Sequence, residues 1–382
     1  MSTTLIKEVK LRFKEIFKSY PLLIFSPGRI NIIGEHTDYN GGFVLPAAVD
    51  KGIVAAIQKS DTGSSTAIAL DLDSTIHFEL DKLKPSKEGN WENYVFGVVA
   101  EIQNRNKVIG DFNIIFKGNI PGGAGMSSSA ALENSVVFGL NELFVLGLTK
   151  TEMILISQKA EHNYVGVKCG IMDQYASMFG IENNALLLDC RTLESTPYKI
   201  DFKEHQLILI NTNVKHSLSD SAYNDRRSAC ENIAEILKVN TLRDATESDL
   251  EKIIDKVTPE NYQKALYVIQ EIDRTQKAAK AIEENDLKTL GALIYASHNG
   301  LQLQYKVSCN ELDFFVDQAK KNKHVLGARM MGGGFGGCTI NLIARSEVKG
   351  FAESASKAYK NKFKKECSVY FIELSKGTHL VK

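Results

Sequence analysis

A glycine- and serine-rich segment between a predicted strand and a long predicted helix constrains this chain more than any other feature. The segment reads IPGGAGMSSSAA from Ile120 to Ala131; the apolar run before it is Phe112–Phe116, and helical spacing follows it over Ala130–Leu146. Glycine permits positive φ and leaves no side chain between the backbone amides and a ligand. The chain must therefore fold as a mixture of strands and helices, with a glycine-rich turn leading into a helix.

Two interpretations of this segment stay open from its residues alone. In the first, backbone amides of Gly122, Gly123 and Gly125, the helix dipole and the hydroxyls of Ser127–Ser129 bind a polyphosphate, and one hydroxyl ligates Mg²⁺. In the second, the segment is a tight turn whose serines cap the helix. It is not a Walker A loop, because no Lys-Ser/Thr pair follows the glycines, and this segment contains no GxGxxG for a dinucleotide.

The length of 382 residues favours two domains over one, because a single hydrophobic core seldom grows to fill such a chain. The composition changes after Leu193, where turn-forming and charged residues, ESTPYKIDFKEHQ, precede a new apolar strand. We therefore predict domains at residues 1–200 and 201–382. Strands are predicted at Ile53–Gln58, Phe112–Phe116, Ala185–Leu188, Gln206–Ile210, Cys338–Ile343 and Ser368–Leu374. Further helices are predicted from Thr149, with Glu152 completing a capping box, to about Tyr164, and over Ala229–Leu237 and Ala265–Glu283.

Charge and cysteine content narrow the classes of function. Lys plus Arg and Asp plus Glu both number 46, so no overall charge favours nucleic acid or an anionic membrane. No stretch of 18 apolar residues occurs, and the amino-terminal sequence lacks the apolar core of a signal peptide, which predicts a cytoplasmic protein. The six cysteines form no CxxC pair, and buried free thiols are expected rather than a zinc site.

A second segment, SPGRINIIGEHTDYNGG over Ser26–Gly42, concentrates Arg29, Glu35, His36 and Asp38 beside glycines. Carboxylates accept directed hydrogen bonds, so this cluster suits recognition of several hydroxyl groups, as in a sugar. A metal site that uses His36 and Asp38 is a weaker alternative, and a solvated charged turn is a third.

A third segment, GARMMGGGFGGCTINLI over Gly327–Ile343, places five glycines around Phe335 just before a predicted strand. Such density of glycine indicates either close approach of another segment or ligand, or a flexible turn.

Together the three segments resemble the galactokinase branch of the GHMP small-molecule kinases. GRINIIGEHTDYNGG is similar to the galactokinase signature, PGGAGMSSSAA to the phosphate loop and MGGGFGGC to the third motif of that family. AEHNYVGVKCGIMDQYAS, ALLLDCRTLE and TNVKHSLSDSAYNDRR resemble the same branch, so the likeness extends over both predicted domains.

The resemblance implies an α+β, two-domain GHMP kinase fold. The amino-terminal domain would be ribosomal-protein-like, the carboxy-terminal domain ferredoxin-like, and the active site would lie in the cleft between them. The implied activity is ATP-dependent, Mg²⁺-requiring phosphorylation of the anomeric hydroxyl of D-galactose to galactose 1-phosphate, the first step of galactose utilisation. A related sugar 1-kinase, for example one acting on N-acetylgalactosamine, and a non-catalytic sensor that binds sugar and ATP are the alternatives.

The resemblance also implies residue roles. Asp173 would be the catalytic acid-base residue, with Arg29 beside it. The residues implied to bind the sugar are Glu35, His36, Thr37, Asp38, Gly170 and Tyr223. The residues implied to hold the ATP phosphates are Gly123, Ala124, Gly125, Met126, Ser127, Ser128 and Ser129. Ser129 and Glu161 would ligate Mg²⁺. Met126 replaces the commoner Leu, a swap of similar volume, and the serines of the loop are intact, which argues against a non-catalytic relative with a damaged loop.

Overall fold

In a computed structural model of the chain, residues 3–86, 90–215 and 219–381 are described. Their strands are β1 (Leu22–Asn31), β2 (Phe43–Val44), β3 (Pro46–Lys59), β4 (Ser65–Ala69), β5 (Ser74–Phe78), β6 (Phe112–Gly118), β7 (Asn184–Asp189), β8 (Glu194–Lys199), β9 (His205–Lys215), β10 (Val325–Met330), β11 (Gly336–Ala344), β12 (Ser368–Phe371) and β13 (His379–Leu380). Their α-helices are α1 (Thr3–Phe17), α2 (Glu92–Asn104), α3 (Ser128–Phe144), α4 (Lys150–Ala160), α5 (Met172–Phe179), α6 (Ser219–Leu237), α7 (Glu247–Glu251), α8 (Pro259–Glu283), α9 (Leu287–Leu303), α10 (Asn310–Lys320) and α11 (Val348–Phe363).

The larger sheet has the strand order β13-β1-β3-β6-β4-β5 and is covered on both faces. Its pairs are antiparallel except β4 with β6, which run parallel. On one face, α1 buries Leu5, Val9 and Phe13, which are four residues apart and therefore share one side of the helix. Helices α2 to α5 pack on the other face, around a core that includes Val136 and Leu140 of α3.

The second sheet has the order β10-β11-β9-β12 and is antiparallel throughout. Helices α10 and α11 cover one face, where the rings of Phe315 and Tyr359 stack with centroids 4.7 Å apart. The other face contributes Leu209 and Ile340 to a core that also contains Ile32, the residue that follows β1. The two halves of the chain therefore share buried apolar surface.

Two further connections join the halves. A small sheet, β2-β7-β8, contacts α8. The last strand, β13, returns from the second half and pairs with β1 of the first, where Phe25 is opposite His379. Assignment of residues 1–200 and 201–382 to two domains stays a prediction.

Most of the predicted elements occur in the structure, and the differences lie at their ends. The helix predicted over Ala130–Leu146 is α3, and the capping box of Thr149 and Glu152 at the start of α4 is confirmed. Helix α4 ends at Ala160, and a π-helical turn, Glu161–Val165, follows it.

Several predicted boundaries in the second half were wrong. Helix α8 begins at Pro259, six residues before the predicted Ala265, and β9 continues to Lys215, five residues beyond the predicted Ile210. Helix α6 begins at Ser219, ten residues before the predicted start at Ala229. Its first residues are those of SDSAYNDRR, whose serines and aspartates are poor helix formers, so the local sequence did not indicate this start. Strand β12 ends at Phe371, three residues before the predicted end at Leu374, where the chain turns back toward the first half. Residues 216–218, within TNVKHSLSDSAYNDRR, lie outside the described residues.

All six cysteines are free thiols, as predicted, but only Cys230 and Cys338 are fully buried. Within the described ranges, none of the helices combines the length and the hydrophobicity needed to cross a bilayer.

Candidate active site

A cavity of about 160 Å³ collects side chains from both halves of the chain; we call it the central cavity. It is lined by Arg29, Glu35, His36, Asp38, Glu161, Val167, Cys169, Gly170, Met172, Asp173, Tyr223, Gly332 and Gly333. The structure thus brings together the second and third glycine-bearing segments and the CGIMDQ stretch.

Arg29 and Asp173 form a bidentate ion pair at the edge of the central cavity. Arg29 Nε lies 2.8 Å from Asp173 Oδ1, and Nη2 lies 2.8 Å from Oδ2. The position of Arg29 near the end of β1 and that of Asp173 in the first turn of α5 make this contact possible. Burial opposes the charged guanidinium, yet the carboxylates of Asp173, Glu35 and Asp38 raise the pKa of Arg29 above its ordinary value. The guanidinium therefore stays charged, and its two hydrogen bonds fix the orientation of the Asp173 carboxylate.

The glycine loop, which we define as Pro121–Ser127, lies against the same ion pair. Arg29 Nη1 donates to the carbonyl of Gly125, and the Arg29 amide donates to the carbonyl of Met126 at 3.1 Å. The side chains of Ala124 and Met126 are buried in the core, so the backbone of the loop faces outward. Gly123 and Gly125 have φ of 69° and 67°, values that L side chains rarely adopt. A Cβ on Gly123 would meet no neighbour, so the loop is open on that side.

The serine next to α3 does not act as the helix cap. Ser127 has φ of 58° and makes no capping hydrogen bond; its hydroxyl donates instead to Asp173 Oδ2. The interpretation of the loop as a turn whose serines cap the helix is therefore wrong at this position. The amides at the start of α3 are left without this side-chain acceptor, which favours an anionic ligand at that helix end.

His36 and Tyr223 line the central cavity, and the rings of Tyr39 and Tyr305 pack against His36. His36 Nδ1 lies 2.8 Å from the hydroxyl of Tyr39, and that hydroxyl lies 2.7 Å from the hydroxyl of Tyr305. The ring of Tyr223 packs 5.4 Å from that of His36. Burial lowers the pKa of His36 to about 3 and raises the pKa of Tyr223 well above its ordinary value. At neutral pH both groups are uncharged, and they can donate or accept hydrogen bonds to hydroxyl groups.

Asp38 also lines the cavity, where it lies against the backbone of Gly170. A Cβ at position 170 would collide with the Asp38 carboxylate, so glycine is required there. The amide of Tyr39 donates to Asp38 Oδ1 at 2.9 Å and fixes the carboxylate. Burial, and then the nearby charge of Asp173, raise the pKa of Asp38 to about 7. A ligand that donates hydrogen bonds would relieve the cost of this buried charge.

Thr37 lies under the cavity and is not among its lining residues. Its side chain is fully buried, and the hydroxyl lies 2.9 Å from the carbonyl of Gly34 and 2.6 Å from that of Phe43. Thr37 was predicted to bind the sugar, but its side chain instead bonds within its own turn, between Gly34 and Phe43. The other residues predicted to bind the sugar all line the central cavity.

Sequence reasoning missed Arg329, which joins the two halves behind the cavity. Its fully buried guanidinium donates to the carbonyl of Ile32 at 2.8 Å and lies 3.1 Å from Glu35 Oε1. The amide of Gly332 donates to the same Glu35 oxygen at 2.8 Å. The third segment therefore makes the close approach predicted as one of its interpretations. A single arginine within the apolar run VLGARMMGGG was the signal that could have revealed a buried ion pair.

Of the residues predicted to hold Mg²⁺, Ser129 is the second residue of α3, and Glu161 begins the π-helical turn. Burial, and then Asp173, raise the pKa of Glu161 to about 7, while Ser129 lies close enough to lower that pKa in part. Mg²⁺ typically binds one or two carboxylates and completes its shell with waters and substrate phosphates. An oxygen pair beside the glycine loop fits an ion that arrives with a polyphosphate.

A self-sufficient metal centre, the weaker alternative for His36 and Asp38, has no support. Within the described residues, no group of three or more His, Cys, Asp or Glu side chains could hold a metal ion. His36 instead uses Nδ1 toward Tyr39.

Three family models match the chain. They are the galactokinase galactose-binding signature at residues 11–59, the GHMP kinases N-terminal domain at residues 93–181 and the GHMP kinases C-terminal region at residues 278–361. The first contains Arg29 and the EHTD run, and the second contains the glycine loop and Asp173.

Full-length relatives agree with these matches. The chain is 40% identical over 375 residues to a galactokinase of Clostridium acetobutylicum, covering 96% of each chain. It is 39% identical over 356 residues to a galactokinase of Thermotoga neapolitana, covering 93% of this chain and 99% of the relative.

Among solved structures, the fold matches Lactococcus lactis galactokinase complexed with galactose, with a TM-score of 0.94, 32% identity and coverage of 98% of this chain and 99% of that one. A mevalonate kinase of Methanococcus jannaschii shares the fold at a TM-score of 0.61 and 17% identity, covering 94% of this chain and 99% of that one.

Proposed function

The chain belongs to the galactokinases of the GHMP kinase family, and we infer that it transfers the γ-phosphoryl group of ATP to the anomeric hydroxyl of D-galactose. The products are ADP and galactose 1-phosphate. The predicted α+β GHMP kinase fold is confirmed by the same membership.

The observation that carries the mechanism is the bidentate pair of Arg29 and Asp173 between the glycine loop and the central cavity. A sugar hydroxyl is a weak nucleophile until a base accepts its proton. We assign this base to Asp173. The anomeric oxygen forms a bond to the γ-phosphorus, the bond from that phosphorus to the bridging oxygen of ADP breaks, and the hydroxyl proton passes to the Asp173 carboxylate. Arg29 orients the carboxylate and opposes the negative charge that accumulates on the transferring group.

The sugar contacts are assigned to the polar lining of the central cavity. Glu35, Asp38 and the neutral His36 offer acceptors and a ring nitrogen. Gly170 leaves room for the Asp38 carboxylate itself, and the Tyr223 hydroxyl provides a further donor. Thr37 supports the turn that presents these groups. An axial hydroxyl that pairs with buried acceptors distinguishes galactose from glucose, since the epimer would leave those acceptors unpaired.

The phosphate contacts are assigned to the glycine loop and the first turn of α3, from Gly123 to Ser129. Open backbone at Gly123 and the helix dipole support this assignment. Ser129 and Glu161 would hold Mg²⁺, which shields the charge on the phosphate oxygens when it is bound. A cytoplasmic location stays a prediction from the sequence.

The test is ADP release, measured with a coupled assay in the presence of ATP and Mg²⁺, across galactose, glucose, N-acetylgalactosamine and a sugar-free control. Galactose is expected to give the highest kcat/KM, and nuclear magnetic resonance should identify galactose 1-phosphate as the product. A preference for N-acetylgalactosamine would redirect the assignment to a related sugar 1-kinase. Calorimetric binding of both ligands with no ADP release would identify a sensor instead.

A further inference from the structure

Two fully buried side chains, Glu133 and Gln174, lie directly behind Glu161. Gln174 Nε2 lies 2.9 Å from Glu161 Oε2 and 3.2 Å from Glu133 Oε2. Glu133 follows Ser129 by four residues on α3, so both face the same side of that helix. One amide group thus joins the carboxylate assigned to Mg²⁺ to a second, deeper carboxylate.

Each of these two side chains has one oxygen atom that receives no hydrogen bond from the described residues. Within the described part of the chain, Glu133 Oε1 and Gln174 Oε1 are buried and have no hydrogen-bond partner. Each residue is 0% exposed, and buried polar atoms are almost always paired because an unpaired one costs about 1–3 kcal/mol. The cluster is incomplete as the protein alone forms it. A divalent cation held at Glu161 would bring positive charge and water molecules, which donate hydrogen bonds, close to this cluster.

The backbone around Gln174 is held firmly by three helices. Asn134 Nδ2 of α3 donates to the Gln174 carbonyl at 2.9 Å, and the Ser157 hydroxyl of α4 donates to Asn134 Oδ1 at 2.9 Å. All three residues are fully buried. The backbone of Gln174 is therefore fixed, and its side-chain amide donates to both Glu161 and Glu133.

We propose that Glu133 and Gln174 are positioning residues of the magnesium site: Glu133 orients the Gln174 amide, and that amide fixes the Glu161 carboxylate in the direction that receives the cation. This inference rests on the proposed function, because it concerns the cation that accompanies ATP. Neither residue lines the central cavity, and their hydrogen bonds do not involve the glycine loop, so the expected effect is on metal affinity. Loss of such partners behind a metal ligand typically weakens metal binding about 10- to 100-fold.

The experiment measures Mn²⁺ affinity by electron paramagnetic resonance, with a non-hydrolysable ATP analogue present, for Gln174→Leu, Glu133→Leu and the double variant. Mn²⁺ replaces Mg²⁺ because both prefer oxygen ligands. Each single variant is expected to bind Mn²⁺ about 10- to 100-fold more weakly, with galactose affinity by calorimetry within about twofold of wild type. Ser135→Ala, which removes a buried hydroxyl that bonds only within α3, is the matched control and is expected to bind Mn²⁺ normally.

The double variant tests whether the two residues act through one contact. Its loss of Mn²⁺ affinity should equal that of the weaker-binding single variant. A loss equal to the product of the two single losses would overturn the proposal.

If thermal melting shows that Glu133→Leu does not fold, Glu133→Gln, which keeps the side-chain volume, replaces it. The Mn²⁺ affinity of Glu133→Gln is expected to lie between those of wild type and Gln174→Leu. Wild-type Mn²⁺ affinity in folded Gln174→Leu would also overturn the proposal. Mn²⁺ binding is measured without turnover, so its result tests only the positioning role of Glu133 and Gln174. The proposed function is tested separately, by whether the wild-type enzyme releases ADP with galactose.

Discussion

The glycine loop is one continuous stretch of chain, from Pro121 to Ser127, whereas the central cavity takes its lining from Arg29 through Gly333. The loop owes its shape to its own glycines and to the buried side chains of Ala124 and Met126. The cavity owes its shape to contacts between distant segments, above all the buried pair of Glu35 and Arg329. Mutations in the loop should therefore act on ATP, and mutations around the cavity on galactose or on the stability of the whole fold.

The largest effect is expected where the two regions meet. Asp173 accepts hydrogen bonds from Arg29 and from Ser127 of the glycine loop. Asp173→Asn removes the proposed base, and kcat should fall about 100- to 10,000-fold with ATP affinity nearly unchanged. Steady-state kinetics and nucleotide binding provide the measurement. Asp189→Asn breaks a comparable arginine pair, with Arg243, outside the cavity and serves as control. A loss below tenfold would remove Asp173 from the role of base.

The next largest effect is expected on stability, from loss of the buried ion pair between Arg329 and Glu35 behind the cavity. Arg329→Met leaves the Glu35 carboxylate buried without its partner, so the free energy of unfolding should fall by about 3–5 kcal/mol. Urea denaturation measures this loss. Arg243→Met, which breaks the less buried pair with Asp189, should cost about 1 kcal/mol or less. Equal losses in the two variants would show that the cavity does not depend on the Glu35 pair.

Asp38 separates sugar recognition from phosphate binding. Asp38→Ala removes a charged acceptor, worth about 1.5–3 kcal/mol, so the KM for galactose should rise about 10- to 150-fold. The KM for ATP, determined on the same enzyme at saturating galactose, should change less than about threefold. Similar increases for both substrates would contradict a role in sugar binding.

Two glycines with the same backbone conformation allow a matched test of the loop. Gly123 and Gly147 both have φ of 69°, and a Cβ at either would meet no neighbour. Gly123→Ala and Gly147→Ala should each lower stability by about 1–2 kcal/mol. Only Gly123→Ala should raise the KM for ATP, because Gly147 lies in the turn between α3 and α4. An unchanged KM in Gly123→Ala would argue against phosphate binding at this loop.

The smallest effect is a pH dependence. Burial and the charge of Asp173 raise the pKa of Asp38 to about 7, from 3.8 in an unfolded chain. Between those values the folded protein keeps a proton that the unfolded chain releases, so the free energy of unfolding falls as pH rises toward 7. Asp38→Asn should therefore raise the free energy of unfolding of the ligand-free protein relative to wild type, and this gain should be larger above pH 7 than at pH 4. The gain should be on the order of 1 kcal/mol, since part of the carboxyl faces the open cavity. Thermal melts at the two pH values give the comparison, and a larger gain at pH 4 would reverse the sign.

The same contrast explains what the sequence could and could not predict. The glycine loop, α3 and the capping box of Thr149 and Glu152 were predictable because their determinants are neighbours in the chain. The role of Ser127 was not predictable, since its hydroxyl could have accepted from a nearby amide of α3 but instead donates to Asp173, which is 46 residues away. Likewise, Glu133 looks like an ordinary residue of an apolar helix until Gln174 is placed beside it.

The sequence by itself determined the family, the glycine loop and the identity of most polar groups around the central cavity, because these reside in short motifs whose residue types are read directly. Only the tertiary structure decided that Arg329 pairs with Glu35, that Thr37 faces inward and that Glu133 lies behind Glu161. Such contacts join segments far apart in sequence. Their strength comes from burial, which no local pattern reveals.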